Sequence, residues 1–215
     1  MKSYSEHYDV KYFNRYILGG EFGGWANLTK FVDFIKEDFN IIDFGCGGGY
    51  LLKNIQCKNK IGVDCNESAR KMAEKLGIPA VESTDSIDNE WADLVISDNA
   101  LEHVLHPLEE LRKLHKKLKT GGKVVFVVPC ESIKYAYIPN DINHHLYSWS
   151  PMCIGNLMIE AGYKVIESKS YIHKWPPFSK EVAKFFGRYL FELGCRIYGR
   201  IETSWFQVRV VAIKE

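Results

Sequence analysis

The segment Asp43-Phe44-Gly45-Cys46-Gly47-Gly48-Gly49 has the plainest chemical content in this chain. Glycines at this density let a backbone turn tightly and approach a ligand where a Cβ would obstruct it. The apolar run Ile41–Phe44 leads into it, and Tyr50–Ile55 reads as the start of a helix. A second apolar run, Lys60–Val63, ends at Asp64, about 20 residues past the loop, where a carboxylate accepts hydrogen bonds from ribose hydroxyls in folds of this order. Strand, glycine loop, helix, strand and acid together specify a ligand that carries a nucleoside. Tyr50 stands where a dinucleotide fingerprint has Gly or Ala, and Asp43 has no place in that pattern. No Gly-Lys-Ser/Thr follows, which excludes a phosphate-cradling loop.

The elements around this loop alternate. Apolar residues recur at helical spacing from Asn27 to Phe39 (Leu28, Phe31, Val32, Phe34, Ile35). Glu67–Leu76 is a helix with Asn66 as its cap and Gly77 after it. Ala80–Val81 is a weak strand and Asp93–Ser97 a clear one. Pro107–Leu118 is a helix that starts on proline and is followed by glycines. Lys123–Val128 is almost wholly apolar, as a strand buried on both faces must be. Pro151–Ala161 and Glu181–Tyr198 read as helices, and Tyr163–Tyr171 and Trp205–Ile213 as strands that pair antiparallel. The order predicts a parallel sheet with helices on both faces.

IIDFGCGGGYLL resembles motif I of the class I methyltransferases, and GVDCNES resembles their motif II. DLVISDNALEHV, followed by LHKKLKTGGKVVFVVP, is similar to the fourth and fifth strand regions of the small-molecule subgroup. The resemblance covers roughly residues 27–130. It implies a Rossmann-like α/β fold: a seven-stranded sheet in the order 3-2-1-4-5-7-6, mostly parallel, with the last strand antiparallel and helices on both faces. One domain then spans 1–215, with an N-terminal cap at 1–26 and acceptor-side insertions within 131–200.

The same resemblance implies S-adenosyl-L-methionine as cofactor. Gly45, Cys46 and Gly47 would meet its methionine end and ribose through their backbone. Asp43 would sit near the methionine amino group or order the loop, and Asp64 would hold the ribose hydroxyls. Cys65 and Asn66 would lie beside the adenine, as would Asp85 or its neighbour Ser86. Asp98 and Asn99 follow the fourth strand, where cofactor and acceptor meet. Tyr8, Tyr12 and Trp25 are candidates for covering the cofactor or shaping the acceptor pocket; a hydrophobic seam against the sheet is the alternative.

A methyl group on a sulfonium is already activated, so positioning the nucleophile matters most. A hydroxyl acceptor also needs a base. His103 follows the fourth strand, and His144 and His145 lie in the loop before Pro151; these are the candidate bases, with the two loop histidines favoured. The expected reaction is methyl transfer to oxygen of a small polar, sugar-like acceptor. The alternatives are an RNA or protein methyltransferase and an inactive cofactor-binding scaffold. SDNA stands where amino-directed nucleic-acid enzymes carry [DN]PP[YF]. An aminopropyl transferase would need an acid pair for a polyamine, which is not visible.

Composition bounds the partners. The 215 residues are 46% hydrophobic and 26% charged, with a net charge of +1, so no global field draws the chain to nucleic acid. None of the six cysteines forms a CxxC pair and no histidine lies at ligand spacing beside them, so no metal site is expected. No apolar run reaches the ~20 residues of a membrane span. The N-terminal residues are polar, so a reduced, cytoplasmic protein is expected. Phe185, Phe186, Tyr189, Leu190, Leu193 and Ile197 form an apolar stripe flanked by Lys184, Arg188, Arg196 and Arg200. It reads as a core or lid helix, with a homodimer face or a membrane-surface contact as alternatives.

Overall fold

The computed structural model describes residues 19–215. Tyr8 and Tyr12 lie outside the described residues. The core is a seven-stranded sheet in the order β3-β2-β1-β4-β5-β7-β6. Its strands are β1 (Asn40–Phe44), β2 (Asn59–Val63), β3 (Ala80–Val81), β4 (Ala92–Asp98), β5 (Leu118–Cys130), β6 (Lys164–Tyr171) and β7 (Phe206–Ile213). The first five pair parallel, while β7 pairs antiparallel with both β5 and β6. This is the topology that the resemblance to the class I methyltransferases implies.

The near-continuous apolar strands are explained by burial on both faces. Successive residues of β5 point to opposite sides. Val124, Phe126 and Val128 join Ile42, Phe44 and Val95 in one cluster, and Val125 and Val127 join Ile41, Leu94 and Ile96 in the other. Helix α4 (Pro107–Lys117) closes the first face with Leu111 and Leu114, and α5 (Pro151–Glu160) closes it with Ile154 and Met158. On the second face sit Leu52 of α2 (Tyr50–Lys53) and Ala73 of α3 (Glu67–Lys75). Local signals set the helix starts. The Asn66 side chain accepts from the backbone N–H of Ser68 and Ala69, and Ser150 accepts from Cys153 just before Pro151.

Two segments differ from the sequence expectation. Residues 27–39 do not form one helix; Leu28–Lys30 and Val32–Phe34 are separate 3₁₀ turns. Adjacent Lys30 and Phe31 are both buried, Lys30 on Asp98 and Phe31 in the second-face core. The two short turns aim these neighbours at different partners. Conversely, the glycine-rich stretch is helical: α1 spans Gly20–Asn27. A Cβ on Gly20 would lie 2.2 Å from the Tyr50 ring, and one on Gly24 would lie 2.2 Å from the Tyr50 carbonyl oxygen. The glycines let α1 press against the start of α2, and that packing overrides their poor helix propensity.

The last helix, α6 (Ser179–Ile201), kinks at Gly187, whose φ of 73° lies outside the helical region. Phe191 and Cys195 anchor it to Ala26, with Phe22 and Trp25 packed alongside. Phe185, Phe186, Tyr189 and Ile197 are exposed. No helix among the described residues is long and apolar enough to cross a membrane.

Candidate active site

The strand order reverses between β1 and β4, and ligands of such sheets bind outside the carboxyl ends of the strands at that point. A cleft of about 880 Å³ opens there. Its wall includes Asp43, Gly45, Cys46, Gly47, Asp64, Cys65, Asn66, Asp98, Asn99 and His103. Residues named from motifs far apart in the chain therefore converge on one site.

The glycine loop is held by the strand beside it. The N–H groups of Gly45 and Cys46 both donate to the Val63 carbonyl, at 2.8 and 3.1 Å. Gly45 has φ +77°, and an added Cβ would meet the Ala100 Cβ at 2.2 Å. Gly47 has φ +52° with nothing within 4 Å of a built Cβ, so its bare backbone faces open space in the cleft. Asp64 braces this turn: its carboxylate accepts from Gly47 N–H at 2.8 Å and from Asn66 N–H at 2.9 Å. Burial raises its pKa, and the two N–H donors and Arg70 oppose that rise.

Asp43 is 2% exposed. Burial, reinforced by Asp98 and Asp64, holds its carboxyl well above the ordinary carboxylate range. Asp98 is met by Lys30 Nζ at 2.7 and 3.0 Å and by Asn99 Nδ2 at 3.0 Å. Gln207 Nε2 in turn donates to Asn99 Oδ1 at 3.2 Å. Lys30 is 3% exposed, so the pair ties the turn before β1 to the end of β4. Nothing in the spacing of the sequence marks Lys30.

Other expected residues are placed differently. Asp85 and Ser86 do not reach the cleft; Glu82, Ser83 and Thr84 line it instead. Thr84–Ser86 is a 3₁₀ turn capped by Ser83, and it delivers Asp85 to Lys113 at 3.1 Å. Trp25 is also off the cleft. It packs on Phe22 and Phe191 under the Arg188 guanidinium, while Trp175 takes a place in the cleft wall.

The histidines divide. His103 lines the cleft. His145 does not, but its ring lies 4.9 Å from that of His103, edge to face, and its Nδ1 is 2.7 Å from Glu131 Oε1. His144 is exposed, with its backbone N–H on Asp141. Beside His103, Glu102 is buried without exposed surface, and burial pushes its carboxyl up to about 8. Glu102 precedes His103 in the LEHV segment, where the sequence marks only the histidine as a candidate base.

A class I methyltransferase is what this sheet order defines when the glycine loop follows β1 and the acid follows β2. The chain belongs to the methyltransferase-domain family whose profile matches residues 13–168, and S-adenosyl-L-methionine is its cofactor. An uncharacterised protein of Methanocaldococcus jannaschii is 29% identical over 181 residues, covering 74% of this chain and 77% of that protein. The ubiquinone biosynthesis O-methyltransferase of Aliivibrio fischeri is 32% identical over 136 residues, covering 54% of this chain. The chain spans only 58% of that enzyme's length. A methyltransferase from Thermotoga maritima superposes with a TM-score of 0.67 at 16% identity, over 96% of each chain. At that identity the likeness shows the fold.

The residues present fit the cofactor. The Gly47 backbone is open to the cleft, and a side chain at Gly45 would collide with Ala100. The ligand carries a sulfonium and an ammonium, and positive charge in the cleft favours the ionised forms of Asp43 and Asp64, whose carboxyls burial otherwise raises.

Proposed function

We propose that this chain transfers the methyl group of S-adenosyl-L-methionine to an oxygen of a small polar, sugar-like acceptor, whose hydroxyl is presented to His103. When bound, the cofactor supplies an electrophilic methyl group. Asp64 and the loop Gly45–Gly47 hold its ribose and methionine end, Asp43 faces its ammonium, and Ser83 and Thr84 take the adenine side that Asp85 leaves. Asp98 and Asn99, held by Lys30 and Gln207, keep the end of β4 in position for the acceptor.

The observation that carries the reading is the place of His103: in the cleft wall beside Asp98 and Asn99, with His145 and Glu131 behind it. A neutral imidazole there assists loss of the hydroxyl proton. The relative from Aliivibrio fischeri, named for O-methyl transfer, supports oxygen as the acceptor atom. Radiolabelled methyl donor, incubated with small-molecule, RNA and protein fractions of a cell extract, tests the acceptor class. Label is expected in the small-molecule fraction. On the acceptor so found, His103→Ala is expected to lower kcat by about 10²–10⁴-fold with little change in cofactor affinity, and His144→Ala to change it little. Label confined to RNA or protein, or a normal rate in His103→Ala, would overturn the reading.

A further inference from the structure

One donor atom from each of Glu102, His103 and His145 lies within 4.8 Å of the other two. Glu102 is fully buried, and neither of its carboxyl oxygens has a hydrogen-bond partner among the described residues. Leaving a buried carboxyl unmatched is costly, and native proteins rarely do so without a function for it. His103 Nε2 stands 3.8 Å from Glu102 Oε1, too far for a hydrogen bond. Two ligands about 2.0–2.2 Å from one ion lie roughly 3.3 Å apart, so side-chain rotations of about an ångström close the set. Behind the cluster, Glu131 meets His145 Nδ1 at 2.7 Å. A carboxylate on one ring nitrogen fixes the tautomer of an imidazole that ligates through the other.

We infer that Glu102, His103 and His145 form a site for one first-row divalent cation of the zinc class, at the acceptor end of the cleft. Imidazole and carboxylate are the donors such ions take, and the cluster contains no thiolate. Three protein ligands leave a coordination position open. His103 lines the cleft, so that position is reached from it. The inference rests on the reading of an oxygen acceptor and deepens it. An acceptor hydroxyl bound there loses its proton to solvent near neutral pH, and the oxygen keeps the lone pair that methyl transfer needs. His103 then acts as a ligand rather than as the direct proton acceptor. The inference departs from the expectation of no metal site, since sequence spacing could not bring these residues together: Glu102 and His103 follow β4, whereas His145 follows β5.

Chelator-treated protein is titrated with Zn²⁺ by calorimetry, and with Co²⁺ by visible absorption of the ion. One equivalent is expected to bind with micromolar or tighter affinity. Glu102→Gln and His145→Ala should each weaken binding at least about tenfold. Both should keep the affinity for S-adenosyl-L-methionine, which reports a folded cleft. If Glu102→Gln does not fold, His145→Ala decides, since His145 lies in a loop at the edge of the cluster. No stoichiometric binding by the native chain, or binding unchanged in a folded variant, would overturn the inference. Intact ion binding with no methylation of any hydroxyl would sink the acceptor reading and leave the ion site standing.

Discussion

Asp64 has two tasks that a single substitution can separate. Its carboxylate orders the glycine loop through Gly47 and Asn66, and the proposed function adds the ribose hydroxyls. A buried charge-assisted hydrogen bond contributes about 1.5–3 kcal/mol. Asp64→Ala is therefore expected to raise the Kd for the cofactor by about one to two decades in calorimetry on protein shown to be folded. An unchanged Kd would mean that the carboxylate serves the loop alone. His173 makes a different residue-scale prediction. It is 5% exposed, neither ring nitrogen has a partner among the described residues, and burial, with Lys30, Arg196 and Arg188 near, pushes its pKa down to about 3. The unfolded chain takes up a proton below about 6.5 that the folded chain refuses. The stability from this source is whole above that pH and is lost as pH falls towards 3, by up to about 1.4 kcal/mol per pH unit. His173→Leu should flatten the decline in urea-unfolding stability between about pH 6 and pH 4. A slope equal to that of the native chain would refute the assignment.

At the scale of elements, the contact between α1 and the start of α2 positions the glycine loop. A Cβ at Gly24 would strike the Tyr50 carbonyl oxygen, which is backbone and cannot rotate away. Gly24→Ala is expected to destabilise the fold by about 1–3 kcal/mol and to weaken cofactor binding, because Tyr50 follows the loop directly. Gly19→Ala meets nothing within 4 Å and should stay within about 0.5 kcal/mol of the native chain. Equal urea midpoints for the two variants would show that α1 moves freely on α2. The helical character of this stretch was illegible beforehand. Glycine is a poor helix former, and the reason for it is a partner that lies some thirty positions further along the chain. The strands were legible because burial on both faces demands continuous apolar runs, which β1, β4 and β5 carry in plain view.

At the scale of the whole molecule, the cofactor is expected to raise thermal stability. A ligand that binds only the folded state, at about 100 times its Kd, adds about 2.7 kcal/mol of stability. For a domain of this size each kcal/mol is worth about 2–4 °C, so saturating S-adenosyl-L-methionine should raise Tm by about 5–10 °C. NAD should leave it unmoved, because Tyr50 and Asp43 depart from the dinucleotide pattern. A shift with NAD and none with S-adenosyl-L-methionine would contradict the cofactor assignment.

The sequence by itself determined the strands, the glycine loop and the acid after β2, and its resemblance to the class I methyltransferases supplied the strand order. Each of the first three is a local signal: a run of apolar residues, a cluster of glycines, or a carboxylate at a strand end. Asp43, Gly45, Asp64 and Asp98 were legible for that reason. Only the tertiary structure decided which side chains stand opposite one another. Lys30 reaches Asp98, Glu102 and His103 meet His145, and Trp175 rather than Trp25 enters the cleft wall. His144 and His145 are adjacent in sequence and equal in residue type, yet His144 has a φ of 49° and an exposed side chain, while the His145 ring packs edge to face on His103. Side-chain direction in an irregular loop depends on backbone dihedrals and long-range packing, neither of which leaves a periodic trace in the sequence.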